Sequence, residues 1–261
     1  MTTRRRPRGA GSLSSRARNS RTGSTRRPLK TSEIAALEIV RDIVELGLKP
    51  GSPLPLEAQM LSHYGVSRSS LREAMRLLET QGLVAIRPGP GSGTVVSEAC
   101  PSNLGRTMTL YFHVAGASYD ELLQCWLLTE PQMAGLAAAN SDAALRREAM
   151  LPFVPDTQEG ESQSISTGLN FHDAVAELAD NRVLSLVCRA IGHVVSEQVL
   201  ATTDRHELES YIVEEHAALA QAIIDGDAAS AIDLMRSHVA HVGDEFRTCF
   251  PERIGQGVVG Q

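Results

Sequence analysis

The chain has 261 residues, 42% of them apolar and 21% charged, enough for two modest domains or one large one around a sizeable core. No apolar run is long enough to cross a bilayer, and no apolar stretch follows the arginine-rich start to make a secretory signal. Cys100, Cys125, Cys188 and Cys249 form no CxxC pair, which points to reduced thiols and a cytoplasmic setting rather than a disulfide framework or a zinc knuckle.

The net charge of −6 is unevenly spread: residues 1–30 carry about +10, residues 31–100 about −2 and residues 101–261 about −14. Such a gradient suits a protein whose front end meets a polyanion. Residues 1–29, rich in Arg, Ser, Gly and Thr, are predicted to form a disordered basic tail. It reads equally as a polyanion-binding arm or as a solubilising extension.

A first helix is predicted from Thr31 or Ser32, with Ile34, Leu37, Val40 and Val44 on one face and Gly47 and Pro50-Gly51 as its end. A short second helix spans roughly Leu56 to Tyr64, with Leu61 pointing inward. The turn Gly65-Val66-Ser67 leads into a third, from Arg68 to about Gln81, capped by Ser67 and stopped by Gly82. Leu71, Ala74, Met75 and Leu78 mark its apolar stripe. Two β-type runs, Val84 to Arg87 and Thr94 to Ser97, then flank a Gly/Pro-rich tip. Helix, turn, helix and hairpin in this order predict a winged helix-turn-helix over residues 30–98, followed by a linker at 99–104.

The rest reads as helices near Ser118–Ala139, Leu169–Leu178, Asn181–Ala201, His206–Ile224 and Ala228–Phe246. Separators lie at the polar Pro152–Thr167 stretch and at Asp225-Gly226. With no alternating strand pattern, an all-α bundle over residues 105–250 is expected, with 251–261 as a flexible tail. The predicted fold class is thus mainly α: an N-terminal winged helix-turn-helix followed by an all-α helical bundle.

Opposite its apolar stripe, the third helix carries Arg68, Ser69 and Arg72, with Arg76 one turn on. A recognition helix presents such side chains near its N-terminus, where arginine can donate twice to guanine and serine can reach a base edge or a phosphate. Two arginines four residues apart repel mildly on a helix. A nucleic-acid role therefore accounts for them better than a merely solvated face does.

The stretch LKPGSPLPLEAQMLSHYGVSRSSLREAMRLLETQGLVAIRPGPGSGTVV, with GVSR..LREA..LLE..GL and RPG.G.GT.V in combination, closely resembles the winged-helix domain of GntR-family bacterial transcription regulators. The resemblance implies DNA contacts at Ser67, Arg68, Ser69, Ser70 and Arg72, and at the wing glycines Gly91 and Gly93. The chain departs from the family's LPSER pattern: Leu56 replaces the capping serine and Ala58 the contacting arginine. Pro90 and Ser92 stand where the wing often has a basic residue. The arginine-rich tail is expected to supply part of the missing phosphate attraction.

The segments TEPQMAGLAAA, NFHDAVAELADNRVL and EEHAALAQAIIDGDAASAIDLMRSHVAH resemble the helical, FCD-type effector domain of the FadR-like branch. In many such domains an Asp and three His bind a divalent metal that helps hold a carboxylate effector. The resemblance maps the histidines onto His172, His216 and His238. Gly168 stands where the Asp would be, which leaves a three-histidine site for zinc, nickel or a similar ion. Trp126 occupies a position one turn before Glu130 that often holds arginine, implying a less polar ligand than a small hydroxy-acid. His63, His113, His193, His206 and His241 are expected to be structural, His241 included although it lies three residues after His238.

Together these features predict a ligand-responsive, DNA-binding regulator, a repressor rather than an activator, acting as a homodimer on a palindromic operator. Two other readings are weighed against it: a metal-dependent hydrolase built on the three histidines, and a non-specific DNA binder. The sequence has no G-x-S-x-G, no HExxH and no phosphate-cradling glycine loop, so no enzyme is expected. A structured second domain is more than DNA coating needs.

Overall fold

In a computed structural model, residues 29–87, 93–154, 166–200 and 205–258 are described, with backbone alone at 166–170 and 205–210. The basic tail up to residue 28 and the wing tip, including Pro90, Gly91 and Ser92, lie outside them. The front third packs α1 (Thr31–Glu45), α2 (Glu57–Tyr64) and α3 (Arg68–Thr80) against the antiparallel pair β1 (Val84–Arg87) and β2 (Gly93–Val96). Val84 pairs with Val96 and Arg87 with Gly93. Residues 51–54 run along the other edge of β2, with Leu54 N–H donating to Thr94 O and Val96 N–H to Ser52 O. This is the expected winged helix-turn-helix.

Its core is Ala35, Ala36, Ile39, Met60, Leu71, Ala74, Leu78 and Val84. The face predicted for α1 is corrected here: Ile34, Leu37 and Val44 are exposed, and Val40 is only partly buried. Alanines let α1 approach α3 closely, so the contact line follows small side chains rather than the largest apolar ones. In α2, Met60 is buried more fully than the expected Leu61.

The helical part comprises α4 (Pro101–Ala115), α5 (Tyr119–Ala138), α6 (Ala143–Met150), α7 (Ser166–Leu178), α8 (Arg182–Gln198), α9 (Arg205–Asp225) and α10 (Ala228–Cys249). Two of these, α4 and α6, were not foreseen. Much of the expected linker is the first turn of α4, because Pro101 at its first position already has a helical φ and no N–H to satisfy. Ser118 and Glu121 form a reciprocal capping box that starts α5. Asp227 caps α10, and Gly226 closes α9 at φ +77°. Arg146 of α6 donates to Ile223 O and Ile224 O, tying α6 to the end of α9.

α5 crosses α10 closely at Gly135, where a Cβ would run into Ile232. Phe171, Met133, Met150, Leu219, Met235 and Phe246 fill the core. The expected tail is corrected as well. Val258 is fully buried, its N–H donates to Ala117 O, and Tyr119 N–H donates to Gln256 O. The chain after α10 thus straps the start of α5, with Arg253 over the Tyr119 ring.

Candidate functional site

Two regions gather chemistry-bearing side chains. The first is the start of α3. Ser67 Oγ accepts from Ser70 N–H at 3.2 Å and lies 2.9 Å from the Oγ atoms of Ser69 and Ser70. The cap fixes the helix start, and Leu71, Ala74 and Leu78 bury its inner stripe. Arg68, Ser69, Arg72 and Arg76 are therefore turned outward and exposed. Among the described residues none of these three arginines has an ion-pair partner. Free guanidinium groups beside a helix N-terminus make a face suited to phosphate and base edges.

The departures in α2 are visible nearby. Leu56 stands at the cap position without a side-chain bond, and its N–H donates instead to Gln59 Oε1 at 3.0 Å. Ala58 is exposed and offers no polar contact. Gly93 opens β2, whereas Gly91 lies outside the described residues.

The second region lies inside the helical part. His172 on α7, His216 on α9 and His238 on α10 converge, with one potential ligand atom from each within 4.8 Å of the others. His216 is 5% exposed and His238 2% exposed. Their Nε2 atoms face each other at 3.2 Å. The His172 ring lies 5.4 Å from each of the other two imidazoles, and Phe171 stacks on His216 at 4.0 Å.

Two carboxylates hold the imidazoles from behind. His172 Nδ1 donates to Glu130 Oε2 at 2.9 Å, and His238 Nδ1 donates to Glu215 Oε2 at 2.8 Å. Nδ1 carries the proton on His172 and His238 in that arrangement, so their Nε2 atoms keep a lone pair, and that of His238 accepts from His216 Nε2–H. Glu215 also accepts from His241 Nδ1 at 3.1 Å, so His241 joins the supporting layer rather than the cluster. Burial, reinforced by the neighbouring imidazoles, keeps His216 well below the usual histidine range. Burial also lowers His238, against the pull of Glu215. Burial raises the Glu215 carboxyl, but hydrogen bonds from His238 and His241 outweigh it and leave the group below its usual range. A neutral imidazole with its lone pair turned inward is what a divalent ion needs from histidine, and burial pushes His216 and His238 toward that form. The donor set fits a borderline ion such as zinc or nickel.

Gly168 falls four residues before His172 on α7, among positions where only backbone is described. Trp126, on α5 one turn before Glu130, is 3% exposed, and its ring centroid lies 5.7 Å from that of His172. Its Nε1 is buried without a hydrogen-bond partner, which costs about 1–3 kcal/mol if nothing fills the need. Glu215 and its bond to His238 were not anticipated from sequence. The one available signal was an acid immediately before a candidate ligand. His63, also expected to be structural, donates from Nε2 to Asp42 at 3.0 Å in the front domain.

Residues 31–96 match the family model described as bacterial regulatory proteins, gntR family, and residues 121–241 match the FCD domain. A candidate L-lactate dehydrogenase operon regulatory protein of Escherichia coli is 29% identical over 224 residues, covering 82% of this chain and 86% of that protein. The HTH-type transcriptional regulator LutR of Bacillus subtilis is 26% identical over 218 residues, covering 79% and 97%. Among solved structures, a GntR protein of Streptococcus agalactiae superposes with a TM-score of 0.59 at 23% identity, covering 83% of this chain and 99% of that one. That likeness supports the fold.

Proposed function

Because the chain belongs to the GntR family of bacterial transcription regulators, in the branch with an FCD domain, we propose that it is a repressor whose operator affinity is set by a small carboxylate effector. The family and the relatives are transcription regulators, not enzymes, and the hydrolase reading has no further support. The observation that carries the proposal is the convergence of His172, His216 and His238 in the FCD domain behind an arginine-faced recognition helix. In this reading Arg68 and Arg72 read bases, while Ser67, Ser69, Ser70 and the wing at Gly91 and Gly93 meet the backbone. The three histidines would hold a divalent ion, which would supply a Lewis acid for the effector's carboxylate.

The relative named for an L-lactate dehydrogenase operon supports a small carboxylate, and a relative named as the HTH-type transcriptional repressor NanR of Cronobacter sakazakii, 26% identical over 231 residues and covering 83% of this chain and 86% of that protein, supports the sign. A homodimer would set two recognition helices on a two-fold operator. Exposed apolar side chains on α4 (Leu110, Tyr111, Val114) and α8 (Val183, Leu186, Val187) are available for such a partner. No described helix is long and apolar enough to cross a membrane, in keeping with a cytoplasmic protein.

The test is a binding titration of the full chain on DNA upstream of its own gene and on random DNA, across salt. A regulator prefers the former by roughly a thousandfold or more. Equal affinity for both would leave the non-specific reading standing. Removing residues 2–29 is expected to weaken binding and flatten its salt slope.

A further inference from the structure

Trp126 supplies the one buried side-chain polar atom among the described residues that has no hydrogen-bond partner. It is also the only tryptophan in the chain. Native interiors rarely leave such a donor empty, and an orphan beside a candidate binding centre has a natural explanation in a ligand. This one stands against His172, on the helix that also supplies Glu130 behind that imidazole.

The charges around it narrow the ligand. α5 carries no Arg or Lys, nor do the described side chains of α7 and α9. On α10, Arg236 is bound to Asp233, and Arg247 to Asp120 and Asp244. Arg189 of α8 is bound to Asp173 and reaches Glu177. Beyond a divalent ion, the centre thus has a neutral indole donor and two carboxylates already engaged with imidazoles. A second ligand carboxylate would be desolvated near Glu130 without a cation to meet it, which is costly.

We infer that the Trp126 indole N–H donates to a carboxylate oxygen of the effector, and that the effector is a monocarboxylate with an apolar flank rather than a dicarboxylate. This rests on the three-histidine centre being the effector site. The residue is a specificity device: its ring face favours an apolar flank, and its single neutral donor admits one anionic head. The expectation of a less polar ligand at this position is thereby sharpened, because the Trp126 side chain also carries a donor.

The sole tryptophan gives one indole signal in a 1H–15N spectrum of the full-length protein loaded with zinc. Propionate is expected to move that signal downfield, and succinate at equal concentration to leave it in place. Calorimetry on Trp126→Phe, with zinc content unchanged, is expected to show propionate binding weakened roughly tenfold or more, as for the loss of one hydrogen bond to a charged group. An unmoved indole signal, equal propionate affinity in Trp126→Phe, or succinate binding as well as propionate would overturn the inference. Zinc bound stoichiometrically with the indole unmoved sinks this inference and leaves the metal reading intact. A propionate-dependent indole shift that survives in a His172/His216/His238 triple alanine variant upholds the donor and removes the metal from the reading.

Discussion

The recognition helix and the helical core treat their charged groups in opposite ways. On α3, Arg68 and Arg72 stand exposed four residues apart, with no carboxylate engaged among the described residues. In the helical part, Arg146, Arg189, Arg236 and Arg247 are each tied to a carbonyl or a carboxylate, and two of the three clustered imidazoles are held by Glu130 and Glu215. A surface that must exchange its counterions for a polyanion keeps its cations uncommitted, since a prior ion pair would have to be broken on binding. A buried centre must do the reverse. Its ligand atoms stay oriented only if something behind them fixes the tautomer, while burial pushes His216 and His238 toward the neutral form.

The largest expected effect breaks the two regions apart. Replacing His172, His216 and His238 together by alanine should reduce bound metal from stoichiometric to background by elemental analysis, while the separately packed α1–α3 core keeps DNA affinity measurable. Equal metal in both proteins would refute the centre. A finer cut is Glu215→Gln, which leaves all three imidazoles but weakens the acceptor on His238 Nδ1. Metal affinity should fall roughly 10- to 100-fold, read by competition with a chelator, and an unchanged affinity would reduce Glu215 to a surface acid.

On the other side of the comparison, Arg72→Ala is expected to cost about 1–3 kcal/mol on the operator and to relax preference at one base position. A selection over randomised sites reads this out. A loss that is uniform over all sequences would make Arg72 a phosphate contact instead.

The same contrast explains what could be read without coordinates. The α3 helix was legible because its start, stop and two faces are written locally, in Ser67, Gly82, the Leu71–Leu78 stripe and the arginines. The burying face of α1 was not, because which stripe is buried depends on how closely α3 approaches, and alanine carries little hydropathic signal. The start of α4 was hidden by Pro101, which looks like a linker residue and also suits a first helical turn. The three histidines came from resemblance, since imidazoles on three helices have no spacing that proves convergence. Glu215 is one of many acids in a strongly negative region, and only packing singles it out. The unpartnered nitrogen of Trp126 is a property of its surroundings, with no sequence signal at all.

The smallest predicted effect is the most discriminating, because Ser67 belongs to both sides of the contrast: its hydroxyl is spent inside the protein, capping α3, yet it lies on the face proposed to meet DNA. Ser67→Ala removes the acceptor of Ser70 N–H and should cost about 1 kcal/mol of local stability, seen as hydrogen exchange of the Ser70 amide roughly fivefold faster. Ser67→Asp should restore the cap and slow that exchange again, since aspartate caps as well as serine. Its negative charge would nonetheless face the phosphates, so operator affinity should fall further than in Ser67→Ala. If Ser67→Asp instead recovers both exchange protection and affinity, the hydroxyl acts through the fold alone, and the start of α3 does not approach the DNA backbone at this residue.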